Sequence, residues 1–111
     1  MPLVFFDPGQ MTARLDLQRS VSAPDGQGGA TVSQETVASL WGRIEPVSNT
    51  LTEEASQRTF TITHRIWIAY RTGLMAGMRF VRGERVFTIR AVNDPDETRR
   101  YLVCQCEEEG A

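Results

Sequence analysis

Lysine is absent from this chain: all 12 basic residues among its 111 are arginine. GC-rich coding would give the same bias, but arginine's planar fork also suits bidentate pairing with carboxylates or phosphates at interfaces. Histidine occurs once, at His64, and cysteine twice, at Cys104 and Cys106. A serine nucleophile would need His64 as its base, and no Gly-x-Ser-x-Gly elbow is present. A zinc site would need a second ligand pair at a usual spacing, which Cys104-Gln105-Cys106 lacks. The two cysteines sit two apart in a strand-like stretch, so they share a face and a bridge between them would be badly strained. Free thiols in a reducing compartment are expected. Acid pairs such as Glu53-Glu54 or Asp94 and Asp96 fall in turns and loops, where carboxylates usually face water. The inventory reads as non-enzymatic, with no cofactor and no metal. No apolar run approaches the roughly 20 residues that span a bilayer, so no membrane partner is expected. The apolar start, Met1-Pro2-Leu3-Val4-Phe5-Phe6, has neither the basic region nor the small-residue cleavage pattern of a signal peptide.

What is present fits one compact domain with ordinary composition, 41% hydrophobic and 23% charged, large enough to bury a core without staples. The net charge of -2 conceals segregation. Nine of the arginines fall between Arg58 and Arg100, against four acids, while the remainder of the chain is strongly acidic. Such asymmetry points to complementary charged surfaces, between subunits or toward nucleic acid.

Met11, Ala13, Leu15 and Leu17 alternate with Thr12, Arg14, Asp16 and Gln18, the period-2 signature of a half-buried strand running to about Val21. Pro24-Asp25-Gly26-Gln27-Gly28-Gly29 then reads as a flexible loop available to a partner; its spacing matches no phosphate-binding fingerprint, and no lysine follows. A second strand carries Val37, Leu40, Trp41 and Ile44, with a bulge or bend suggested at Gly42 and an end at Pro46. Val47-Ser48-Asn49-Thr50-Leu51-Thr52-Glu53-Glu54-Ala55-Ser56-Gln57 reads as a long loop with helix-start chemistry, a cap at Asn49 or Thr50 followed by acids.

Residues 58–71 form the clearest strand, with Phe60, Ile62, Ile66, Ile68 and Tyr70 on one face and Thr59, Thr61, Thr63, Arg65 and Arg71 on the other. His64 falls on the apolar face. Without a second histidine or an acid at matching spacing, it reads as a histidine hydrogen-bonded in the core or at its edge. A hairpin follows, residues 79–82 and 85–92, turning on Gly83-Glu84 with glycine where a type II′ turn needs it. Asn93-Asp94-Pro95-Asp96 marks another turn before a last strand with Leu102, Cys104 and Cys106. Glu107, Glu108 and Glu109 read as a solvated end. The sum is an all-β domain: a small antiparallel β-barrel or sandwich of five to six strands, with a long β2–β3 loop carrying the start signals of a short helix.

The ordered succession of these pieces resembles the phage head-tail joining family (head-completion or stopper proteins of siphophage-like particles, prophages and gene transfer agents). The resemblance rests on Arg14-Leu15-Asp16-Leu17-Gln18-Arg19, the Gly-rich loop, Val37-Ala38-Ser39-Leu40-Trp41-Gly42-Arg43-Ile44-Glu45-Pro46-Val47-Ser48, and a Glu-, Ala- and Gln-rich loop. It continues through Thr63-His64-Arg65-Ile66-Trp67-Ile68-Ala69-Tyr70-Arg71, Arg85-Val86-Phe87-Thr88-Ile89 and Val92-Asn93-Asp94-Pro95-Asp96. It implies a joining β-barrel over residues 11–107, with an N-terminal arm over 1–10 and an acidic tail over 108–111 lying outside the resemblance. It further implies a homo-oligomeric ring of six subunits by analogy, set between portal and adaptor proteins on the head side and a tail terminator or tail tube on the tail side. That position is the head-tail interface of a virion or phage-like particle, with the host cytoplasm as the place of assembly. Double-stranded DNA would pass through without sequence-specific contact, and the segment 47–57 would face the channel as a gate. Arg58, Arg65, Arg71, Arg82 and Arg85 are the candidate intersubunit charges. The rival readings are an adaptor or tail terminator of the same junction, and a standalone β-barrel binding nucleic acid through its arginine-rich strands.

Overall fold

The computed structural model describes residues 8–55 and 58–110, and the side chains of residues 8–47 and 61–110. After a 3-10 turn at Pro8–Gln10 come six strands: β1 (Ala13–Pro24), β2 (Ala30–Ala55), β3 (Arg58–Ala69), β4 (Arg79–Arg82), β5 (Arg85–Asn93) and β6 (Tyr101–Glu108). All neighbouring pairs are antiparallel, and the order β1-β2-β3-β6-β5-β4 returns to β1 through Asp16↔Val81, Leu17↔Phe80 and Gln18↔Arg79. The sheet therefore closes into a barrel, which is the all-β architecture the alternation implies and removes most of its open edges.

The interior is filled by the residues the period-2 pattern selects: Leu15 and Leu17 from β1, Ile62, Ile66 and Ile68 from β3, Phe80, Phe87 and Ile89 from the hairpin, and Leu102, Cys104 and Cys106 from β6, all buried. Tyr70 departs from the expected inward face. It lies beyond the end of β3 and is exposed, its N–H donating to the Arg100 carbonyl at 2.9 Å. The side chain of Phe60 lies outside the described residues.

β2 differs most from its sequence reading. Its bulge is at Val37, because Leu17 pairs with Ala38 and Gln18 with Thr36, leaving Val37 as the extra residue. Gly42, where a bulge was expected, is in regular register with Ala13 and Ile68. Glycine is needed there for close approach: a Cβ would lie 2.9 Å from Leu15 Cδ1, 2.9 Å from the Trp67 carbonyl oxygen and 3.3 Å from Ile68 Cγ2. Nor does Pro46 end the strand. It pairs with His64, and pairing resumes at Leu51↔Ile62, so that residues 47–50 stand opposite Thr63 alone. A proline that cannot donate to the ladder is tolerated at such an irregularity. The expected long loop with a short helix is corrected accordingly: Val47 to Ala55 are strand, and Ala55 pairs with Arg58. Ser56 and Gln57 lie outside the described residues, as do residues 1–7 of the arm.

Elsewhere the local chemistry holds. Gly83 has φ 59° while Glu84 stays at negative φ, as a type II′ hairpin turn requires. β6 runs to Glu108, so the acidic end begins inside the barrel wall.

The close approach at Gly42 yields an expected outcome. Gly42→Ala forces a methyl group against a backbone oxygen, which cannot swing aside, and should cost about 1–3 kcal/mol of stability. A urea midpoint unchanged from that of the parent protein would show that the contact is not limiting.

Candidate functional site

β2 serves two hairpins at once, and they leave the barrel at opposite ends. Its first residues, 30–35, pair only with β1, forming a ribbon that ends at the Pro24–Gly29 turn, whereas residues 51–55 pair only with β3. The molecule measures 54 × 31 × 26 Å with a radius of gyration of 15.2 Å, larger than the roughly 13 Å of a compact chain of this length.

The Pro24–Gly29 loop is more ordered than its composition suggests. Asp25 Oδ1 accepts from the Gln27 N–H at 2.7 Å and the Gly29 N–H at 3.1 Å, and Gly26 and Gly28 take positive φ. It is a carboxylate-stapled turn with every residue exposed. Pro24 itself ends β1, opposite Ala30.

At the end of the barrel nearer the β2–β3 hairpin, four side chains meet. Arg85 grips Glu108 with two bonds, Nε to Oε2 at 2.7 Å and Nη2 to Oε1 at 3.2 Å. The Arg85 guanidinium lies over the Phe87 ring at 4.8 Å. His64 meets Phe87 edge-on with centroids 5.1 Å apart, and its Nε2 is 4.0 Å from Glu108 Oε1. Burial lowers the His64 pKa below 6.5; Glu108 opposes that shift and Arg85 adds to it. The bond from Arg85 holds the Glu108 carboxyl below its ordinary value. Sequence reasoning placed His64 correctly on the apolar face but missed its acidic neighbour. Extending the alternation Leu102, Cys104, Cys106 by one step would have put Glu108 on the same inward face.

The terminal glutamates are therefore not a solvated end. Glu107 accepts from Arg90 at 3.1 Å and Glu109 from the Thr88 hydroxyl at 3.0 Å. Of the candidate intersubunit arginines, Arg85 is committed to Glu108 and Arg65 lies 3.6 Å from Glu45. Arg71 and Arg82 have no carboxylate partner among the described residues, and the Arg58 side chain lies outside them. A pair that sequence analysis did not single out is Arg14 stacked 5.1 Å above Trp41, an indole left 53% exposed. Among the described residues no group of three or more His, Cys, Asp or Glu side chains is placed to hold a metal ion. Cys104 and Cys106 are free and buried; burial pushes the Cys104 thiol up to about 12 and that of Cys106 higher still.

A family model described as phage head completion protein matches residues 6–109. Among solved structures, the chain is similar to one from the virion of a native gene transfer agent particle, with 23% identity, a TM-score of 0.66, and 90% of this chain and 96% of that one covered. It is also similar to the solution structure of protein SF1141 from Shigella flexneri 2a, with 24% identity, a TM-score of 0.71, and 95% and 98% of the two chains covered. No curated protein matches the chain.

Two outcomes follow from these environments. Thiols this buried and this hard to ionise should take no maleimide in the native protein at about pH 8, and both should react once the chain is denatured. Rapid native labelling would mean that β6 opens. For His64, the folded state resists protonation, so the unfolded chain binds the proton first and stability falls as pH drops below about 6.5. The melting temperature should decline between about pH 7.5 and pH 5.5, less so in His64→Phe. The loss from Glu108 belongs to a separate window, below its ordinary value of 4.5. An equal decline in both proteins would remove His64 as the cause.

Proposed function

This chain belongs to the phage head completion protein family, and from that premise we propose that it forms a ring between the portal-adaptor assembly and the tail, holding packaged DNA and receiving the tail. In this reading the β2–β3 hairpin is the gate. The observation that carries it is the break in the ladder between Pro46 and Leu51, where four residues of β2 face Thr63 alone. A paired hairpin joined to a rigid barrel through an unpaired stretch can swing as a unit at small energetic cost, because its own hydrogen bonds survive the motion. It carries Glu53 and Glu54, whose charge repels phosphate and suits a channel that blocks DNA without gripping it.

Ring contacts are heterologous, so one side of each subunit must fit the other. Arg71 and Arg82, without a carboxylate partner among the described residues, are the arginines available for that fit. Exposed ion pairs contribute only about 0–1 kcal/mol each; the ring then needs its adaptor as a template and closes weakly on its own. The stapled Pro24–Gly29 turn, at the far end from the gate, is the surface offered to the neighbouring ring. Particles with the segment 49–57 replaced by a short turn should retain a folded barrel while losing DNA or failing to join tails. Full, tailed particles from this deletion would refute the gating role.

A further inference from the structure

The β1–β2 ribbon has no partner of its own. β4 pairs with β1 only at Asp16, Leu17 and Gln18, and β3 pairs with β2 only from Gly42 onward. The β1 edge over residues 19–24 and the β2 edge over residues 30–41 therefore have no strand beside them among the described residues. Both faces of the ribbon are exposed as well, apart from a half-buried Val21. Beyond its base, where Arg19 and Ser20 border a pocket shared with Met75 and Met78, a two-stranded ribbon exposed on both faces is marginal in water, and monomeric proteins blunt such edges with lysine, proline or inward charge. These devices are nearly missing here. Proline stands only at the tip, in Pro24, and the only charges, Arg19 and Glu35, neutralise each other at the base with a 3.0 Å ion pair. The rest is Ser20, Val21, Ser22 and Ala23 facing Thr31, Val32, Ser33 and Gln34, small or uncharged side chains that admit another strand.

We propose that these ribbons join edge to edge between copies, the β1 edge of one subunit hydrogen-bonding to the β2 edge of the next. The inference rests on the ring reading. A second copy fits better than a foreign strand for reasons of direction and count. β1 and β2 run antiparallel, so setting one copy's β1 beside the next copy's β2 continues the same antiparallel order, over six residues on each side. That contact uses both open edges of every ribbon, whereas a strand from another protein satisfies one and leaves the other exposed. It is also head to tail, the only kind that closes a ring by repetition. The ribbons then form a continuous collar at the end of the ring opposite the gate hairpin.

The test uses two full-length variants, Ser22→Cys and Ser33→Cys, produced together in particle-forming cells and treated with a short bis-maleimide. Within one copy these variants never carry both thiols, so a product linking position 22 to position 33 arises only between subunits. The expected result is that mixed product in assembled rings, no product from either variant alone, and amide exchange in residues 19–24 and 30–35 slowed on the order of tenfold or more relative to the isolated subunit. Rings that form by mass measurement with neither the mixed product nor slowed exchange overturn the inference and leave the ring reading intact. Slowed exchange without the mixed product assigns the edge to a different protein and overturns it too, as does a product from Ser22→Cys alone, which requires a two-fold contact. Failure to find any ring, in solution or in particles, removes the ring reading and the collar with it.

Discussion

Extended at about 3.3 Å per residue, a strand the length of β2, 26 residues, would run well beyond the 54 Å long axis of the molecule. It has to bend, and where it bends decides what the rest of the chain can do. Val37 takes up the first change of direction, at the mouth of the ribbon. Gly42 lets β2 pass close to Leu15 and Trp67, and the stretch after Pro46 releases it from β3. Between these points β2 is a barrel stave; outside them it is an arm. Both projecting elements are thus extensions of one core strand, held by the interior that Leu15, Leu17, Ile66 and Ile68 fill.

The barrel end beneath the β2–β3 hairpin is closed by polar chemistry as well as apolar packing. Where the β3–β6 ladder stops at His64↔Cys106, the Thr63 hydroxyl accepts the Glu108 N–H at 2.8 Å, carrying the contact between the two strands past the last ladder pair. The two charge-assisted bonds from Arg85 to Glu108 then complete that end, with His64 edge-on to the Phe87 ring beside them.

Alternation made most of the barrel legible. The inward sets on β1 and β3 are legible because each of these strands has one buried face, and the Gly83 turn follows from the φ it needs. What could not be read was the fate of β2 beyond Pro46. Proline, Asn49 and adjacent acids are local stop and cap signals, and local signals lost to tertiary pairing with β3. Gly42 suggests a bulge by its residue type, but its cause is the close approach of Leu15 and Trp67 on the two flanking strands, which spacing does not reveal. The terminal glutamates looked like a solvated end because their partners, Arg85, Thr88 and Arg90, lie on a different strand. The pairing of Arg14 with Trp41 is not legible, because an outward pair on adjacent strands leaves no periodic trace in the chain.

The paired thiols have one more consequence. Cys104 and Cys106 point into the same core from positions two apart on a strand, a separation near the upper limit a disulfide can bridge, and burial keeps both protonated. These two thiols are consequently poor partners for each other and for reagents in solution, and a change from a reducing to an oxidising medium leaves the barrel held by hydrogen bonds and packing.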